Sequence, residues 1–275
     1  MGEGLWWRSL LFASLLLGPL PAAAMPELAV EIAGERIILS AEELLGRPDT
    51  QDISVPQDVA YKEALQYRAL PIAELLSAYP VSPDGEIEFI ASDGFASLIP
   101  AELLLGDGEE RAVAWLAIEP PDDPWPALPG KQVSAGPFYL VWMDPEKSGV
   151  RSEQWPYAVV RMREVEPAAS RWPEIAVDAA LPAEHAARLG QEVFVTQCLA
   201  CHTLNGAGSA TMGPDLNQPA NPTRYFTEEG LRRLLRDPAS LRSWPAMQMP
   251  AFSEAMLSEA ELDAVIAYLR HMADR

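Results

Sequence analysis

The sequence predicts an α+β chain of two domains, a β-rich domain at residues 26–165 and an all-α domain at residues 181–275, with a linker at 166–180. Three observations carry this reading. The first half breaks into short alternating or apolar stretches separated by turn residues, the pattern of strands. The end of the chain holds a capped apolar stripe at helical spacing. The length of 275 residues, 49% of them hydrophobic, supplies two cores.

In the first domain, Leu28-Ala29-Val30-Glu31-Ile32 alternates and meets Arg36-Ile37-Ile38-Leu39 across Ala33-Gly34, a hairpin signal. Ser40 and Glu43 are spaced to cap a brief helix that Gly46 ends, and Pro71 opens another through Leu76. Further strands are expected at 86–91, 112–118, 137–143 and 155–163. Five prolines between 119 and 130 make that stretch a rigid surface loop. Trp115, Trp142 and Trp155 are expected among the core aromatics.

In the second domain, Pro182 suits the first position of a helix running to about Leu199. Gly190, Phe194 and Cys198 share one face of it by their four-residue spacing. Thr227, followed by Glu228 and Glu229, opens a second helix; Leu231, Leu234 and Leu235 face inward and Asp237-Pro238 stops it. In the last helix Ser258 and Glu261 form a capping box, and Leu257 and Leu262 occupy the positions of a hydrophobic staple. Leu262, Val265, Ile266, Leu269 and Met272 then form the apolar stripe. Three helices and long loops make a thin core.

Within that thin domain stands Cys198-Leu199-Ala200-Cys201-His202, holding both cysteines of the chain. The spacing reads as covalent attachment of c-type haem: each thiol closes a thioether to a vinyl group and the histidine lies under the iron. A structural zinc site needs two further ligands, and neither His185 nor His271 has a zinc-finger spacing to supply them. A redox C-x-x-C pair belongs after a strand in a βαβ unit, whereas these surroundings are helical. A disulfide closing so short a loop stabilises little. A buried haem would also fill the core.

Around the pentapeptide the order Gly190, Phe194, Cys198 to His202, Gly213-Pro214-Asp215-Leu216, Met249-Pro250-Ala251-Phe252 and Tyr268-Leu269 resembles class I cytochrome c. The resemblance implies one covalent haem c with His202 and Met249 as iron ligands. It also implies that the Pro214 carbonyl accepts the His202 Nδ1–H, and that Gly190 lets the first helix approach the last near Tyr268. Met247 competes for the sixth position without a following proline. Met212 reads as packing against the haem, and Met256 and Met272 as core fillers. Arg232, Arg233, Arg236 and Arg242 are candidates for pairing with the haem propionates, against a simpler reading as solvated surface charge.

The order Arg68 to Leu76, Ser92-Asp93-Gly94-Phe95, Leu116 to Glu119 and Gly136 to Leu140 is similar to the molybdopterin-binding fold of the sulfite oxidase family. That family binds molybdenum through a cysteine thiolate, which this stretch lacks. Lys62, Lys131 and Lys147 are its only lysines. The resemblance therefore implies a cofactor-free relative, a docking module rather than a catalyst.

Residues 1–24 read as a secretory signal peptide: Arg8, then the apolar run from Ser9 to Leu17, a Gly18-Pro19 break, and Ala22-Ala23-Ala24 for cleavage near Ala24. The run is too short to span a bilayer, and no transmembrane span is expected in the mature chain. Export places the protein in the periplasm. The formal charge is −20, and residues 1–170 hold 27 acidic against 11 basic side chains. Such a surface disfavours nucleic acid and suits redox partner proteins with a basic docking surface, against an equally good reading as a solvated acidic exterior with no particular partner. The expectation is a periplasmic mono-haem electron carrier, more an electron-transfer protein than an enzyme. The alternatives are a haem subunit of a larger oxidoreductase and a haem-based sensor or assembly factor.

Overall fold

A computed structural model describes residues 25–106, 108–244 and 247–275, so the signal-peptide expectation lies outside the described residues. The first part of the chain is β-rich and the last part helical, with one hydrophobic cluster in each.

The chain opens with β1 (Glu27–Ile32) and β2 (Glu35–Ser40), an antiparallel hairpin turned by Ala33 and Gly34, both at positive φ. Helix α1 (Ala41–Leu45) carries the expected capping box: Ser40 accepts from the Glu43 amide and the Glu43 carboxylate accepts from the Ser40 amide. Then follow β3 (Gln51–Val55), β4 (Leu65–Pro71), α2 (Ile72–Leu76), β5 (Glu86–Ala91), β6 (Ala96–Pro100), α3 (Ala101–Leu104), β7 (Val113–Ile118), β8 (Phe138–Met143) and β9 (Val159–Val165). They form a five-stranded sheet in the order β2-β1-β9-β5-β6 and a four-stranded sheet in the order β3-β4-β7-β8. Only β1 and β9 run parallel. Trp142 and Trp155 are buried in the shared core, with Trp115 packed partly exposed against it. β9 begins later than its sequence suggests, because residues 152–154 form a 3-10 turn and Ala158 sits at positive φ.

Residues 166–180 are not bare chain. They hold α4 (Ala168–Arg171) and a 3-10 turn whose Ile175 is fully buried and accepts a hydrogen bond from the Tyr268 hydroxyl at 2.6 Å. The helical part comprises α5 (Ala186–Val193), α6 (Pro222–Tyr225), α7 (Glu228–Arg236), α8 (Pro238–Leu241) and α9 (Glu259–Met272). Helix α5 starts after Pro182 because His185 caps it, its Nδ1 accepting from the Ala187 amide. Thr227 and the Ser258–Glu261 box cap α7 and α9 as expected, and all five stripe residues of α9 are buried.

The two parts meet along β6, the edge strand of the larger sheet. An edge leaves backbone donors unpaired, and here the Ala96 amide donates to the Ala200 carbonyl at 2.9 Å. Leu98, from the same strand, is buried in the helical cluster rather than the β cluster. Among the described residues no helix is long and apolar enough to cross a membrane.

Helices α5 and α9 cross at Gly190. A Cβ there would collide with the Ala264 carbonyl oxygen and lie 2.6 Å from the Tyr268 Cβ. On helix propensity alone Gly190→Ala gains about 1 kcal/mol. The opposing atoms are backbone and a buried Cβ, which cannot swing aside, so overpacking dominates. Gly190→Ala is expected to lose about 1–3 kcal/mol net in urea denaturation.

Candidate haem site

Past Val193 the helix continues as a π-helical turn, Phe194–Cys198, with the Leu199 amide donating to the Phe194 carbonyl at 2.9 Å. A π-turn fits an extra residue into one turn and recurs at functional sites. It delivers Cys198 to the start of a tight turn, where the amides of Cys201 and His202 both donate to the Cys198 carbonyl, at 3.1 and 2.9 Å. Both thiols and the imidazole therefore leave one turn of chain.

The segment after it folds back over the histidine. The Gly213 amide donates to the Cys201 carbonyl at 2.7 Å, and His202 Nδ1 lies 2.8 Å from the Pro214 carbonyl oxygen. A carbonyl can only accept, so this contact puts the proton on Nδ1 and leaves Nε2 unprotonated with its lone pair free. Burial lowers the His202 pKa, against the opposing Pro214 bond and Asp215 charge, which favours the neutral ring a metal requires. A Cβ at Gly213 would sit 2.6 Å from the ring's Cε1 and Nδ1. Glycine is what lets the backbone close over the ring.

Burial pushes both thiols, Cys198 and Cys201, up to about 12, with the carboxylate of Glu153 from the first domain adding to it. They are free thiols in the fold, not a disulfide. Among the described residues no group of three or more His, Cys, Asp or Glu is placed to hold a metal ion by itself. Met212 Sδ lies 4.0 Å from Cys201 Sγ. Met249 and Cys198 both border the helical cluster, partly buried; Met247 is partly buried as well. A pair of neutral thiols, an adjacent imidazole fixed with Nε2 open, and a thioether bordering the same cluster fit a covalently attached haem.

The four arginines are otherwise engaged. Arg232 pairs with Glu228, Glu259 and Asp263. Arg236 binds Glu259 and the Phe252 and Leu257 carbonyls. Arg233 donates to Ser240, and Arg242 lies over the Trp244 ring. His271 accepts from the Asp178 amide at 3.1 Å.

With the geometry in hand, the family model described as Cytochrome c matches residues 187–273. No curated protein matches the chain. The match supports a C-terminal c-type cytochrome, and a cytochrome c domain implies covalently bound haem c and redox partner proteins.

Asp215 organises the site without having been singled out in the sequence. Its carboxylate accepts from Gly206 N at 2.7 Å, Asn217 N and Gln218 N at 2.8 Å, Thr203 Oγ1 at 3.0 Å and Asn205 N at 3.2 Å. The one local signal is an Asx turn, an aspartate bonded to the amide two residues on. Burial alone would raise its pKa, but the donors, Gly206 and Asn217 foremost, outweigh it and hold it below the ordinary value. A carboxylate with a lowered native pKa stabilises the fold at pH values above its unfolded pKa, and that stability is lost as pH falls through the native one. Asp215→Asn is expected to lose about 1–2 kcal/mol at pH 7 in urea denaturation. The gap from the parent should close as the pH falls below about 4.

Proposed function

We propose that the chain is an exported, periplasmic mono-haem c-type cytochrome that carries single electrons between redox partners. Bound haem supplies the one-electron couple, its iron passing between ferric and ferrous states. Cys198 and Cys201 hold the group through thioethers. His202 and Met249 would ligate its iron, with Pro214 holding the imidazole through Nδ1 so that Nε2 stays free to bind. A thioether ligand favours the reduced iron and raises the potential above that of a bis-histidine site. A haem given two ligands by the chain itself would suit electron transfer rather than bond chemistry.

The observation that carries this reading is the 2.8 Å contact between His202 Nδ1 and the Pro214 carbonyl, directly after the two thiols. A disulfide has no use for an imidazole so oriented; zinc would use one, but among the described residues no cluster of three or more His, Cys, Asp or Glu is placed to complete its ligand set. The first domain, similar in motif order to the sulfite oxidase fold but without its cysteine, serves as the docking module. Its acidic surface favours partners with a basic face, whose encounter rate falls as salt rises.

Chain matured with haem-attachment machinery is expected to run at the polypeptide mass plus one haem. It should also show a reduced-minus-oxidised c-type spectrum, with a weak near-infrared sulfur-to-iron band in the oxidised state. Met249→Ala should abolish that band, lower the midpoint potential and keep the covalent haem. A band that survives Met249→Ala assigns the sixth position to Met247, and a colourless mature chain removes the proposal altogether.

A further inference from the structure

The first domain lies against the attachment segment, leaving both cysteines only partly exposed. Three contacts surround the segment. On one side Gly94 and the first residue of β6 meet the attachment turn and the loop that returns over His202: Ala96 N donates to Ala200 O at 2.9 Å and Thr211 N donates to Gly94 O at 3.0 Å. Gly94 sits at positive φ, and a Cβ there would run into the Thr211 hydroxyl. On a second side Arg151 pairs with Glu261 and reaches the Met256 carbonyl at 3.4 Å. Beside it the 3-10 turn Ser152–Gln154 packs on Phe194–Cys198, pinned by the Ser97 hydroxyl donating to the Glu153 carbonyl at 2.7 Å.

The third contact is ionic. Glu88, on β5, is fully buried and pairs with both Arg163 and Arg171. The two guanidiniums in turn donate to one atom of the helical domain, Ser209 Oγ, at 3.3 and 3.1 Å. Glu86 is also near, but it accepts from the Ala168 amide, and burial raises its pKa. Two cations held by one carboxylate thus converge on a neutral hydroxyl in the loop that closes over His202.

We propose that the first domain is a fixed cover on the cysteine side of the haem, latched to Ser209 by the Glu88-held arginines, and that it keeps solvent and small redox agents from the thioether edge. This rests on the haem reading above. The cover excludes water from one edge of the group, so a partner drawn by the first domain's acidic surface exchanges electrons through the remaining surface of the cytochrome domain.

The arrangement of charge fixes the direction of a test at Ser209, which lies in a loop outside both cores. Ser209→Lys places a third cation against Arg163 and Arg171 and should open the latch, whereas Ser209→Asp gives both guanidiniums an anionic acceptor and should close it. The full-length haem-loaded protein is used throughout, with haem content read from mass and spectrum on the same samples. In Ser209→Lys, hydrogen exchange at the Ala96 and Thr211 amides should quicken at least tenfold. Reduction by a small neutral hydroquinone should speed up severalfold, with haem content unchanged. In Ser209→Asp neither should exceed the parent. The cover is overturned if Ser209→Lys changes neither quantity, or if the parent's Ala96 and Thr211 amides already exchange as fast as unprotected ones. Absence of haem from the parent counts instead against the proposed function, and the amide exchange still reads the latch.

Discussion

The contact of two backbones at Gly190 governs the helical domain. Helices can approach this closely only where one of them has no side chain, and the approach fixes both the position and the rotation of α5 against α9. Everything chemical is strung on the continuation of α5. The π-turn adds a residue before Cys198, the cysteine turn follows, and the chain then returns over His202 through Gly213 and Pro214. A second glycine, Gly213, repeats the device on a smaller scale, with backbone laid against an imidazole instead of a helix. The site is therefore positioned mainly by backbone contacts, which admit few alternative geometries.

What could be read from the sequence divides along the same line. Ser40–Glu43, Thr227 and Ser258–Glu261 were legible as caps because a cap is a contact between residues three apart. The Cys198–His202 segment was legible because its three groups sit on one turn. Strands β3, β4 and β6 were not. β3 is mostly exposed and has little alternation to betray it, and β6 is five residues ending in proline, whose free edge is satisfied by Ala200 of the other domain. Asp215 was silent for a related reason. Its donors come from 203 to 218 and converge only once the loop has closed. The arginines of α7 were visible as charge, but which acid each one meets is decided by how α7 lies against α9.

The distribution of charge also takes on meaning from the fold. Most of the −20 lies on the first domain, yet its most consequential carboxylate is Glu88, which contributes nothing to the surface. Glu153 is likewise buried at the domain contact, where desolvation raises its pKa. The acidic exterior and the buried acids thus act in different ways. The exterior sets a long-range field felt by an approaching protein, screened over about 8 Å at physiological salt. The buried acids act over single contacts that salt barely reaches.

This separation explains why the domain contact is built from two kinds of interaction. Burying a carboxylate costs several kcal/mol, and pairing it returns about as much, so an ion cluster such as Glu88 with Arg163 and Arg171 adds little net adhesion. Leu98 in the helical core and the edge bond from Ala96 supply attraction, but an apolar side chain and one backbone bond tolerate sliding. The guanidiniums are more exacting, because a shift that takes Ser209 from them breaks two hydrogen bonds in a partly buried contact. Adhesion comes from the strand and its leucine, and orientation from the buried charges. The attachment turn at Ala200 is thereby held at one setting relative to the first domain.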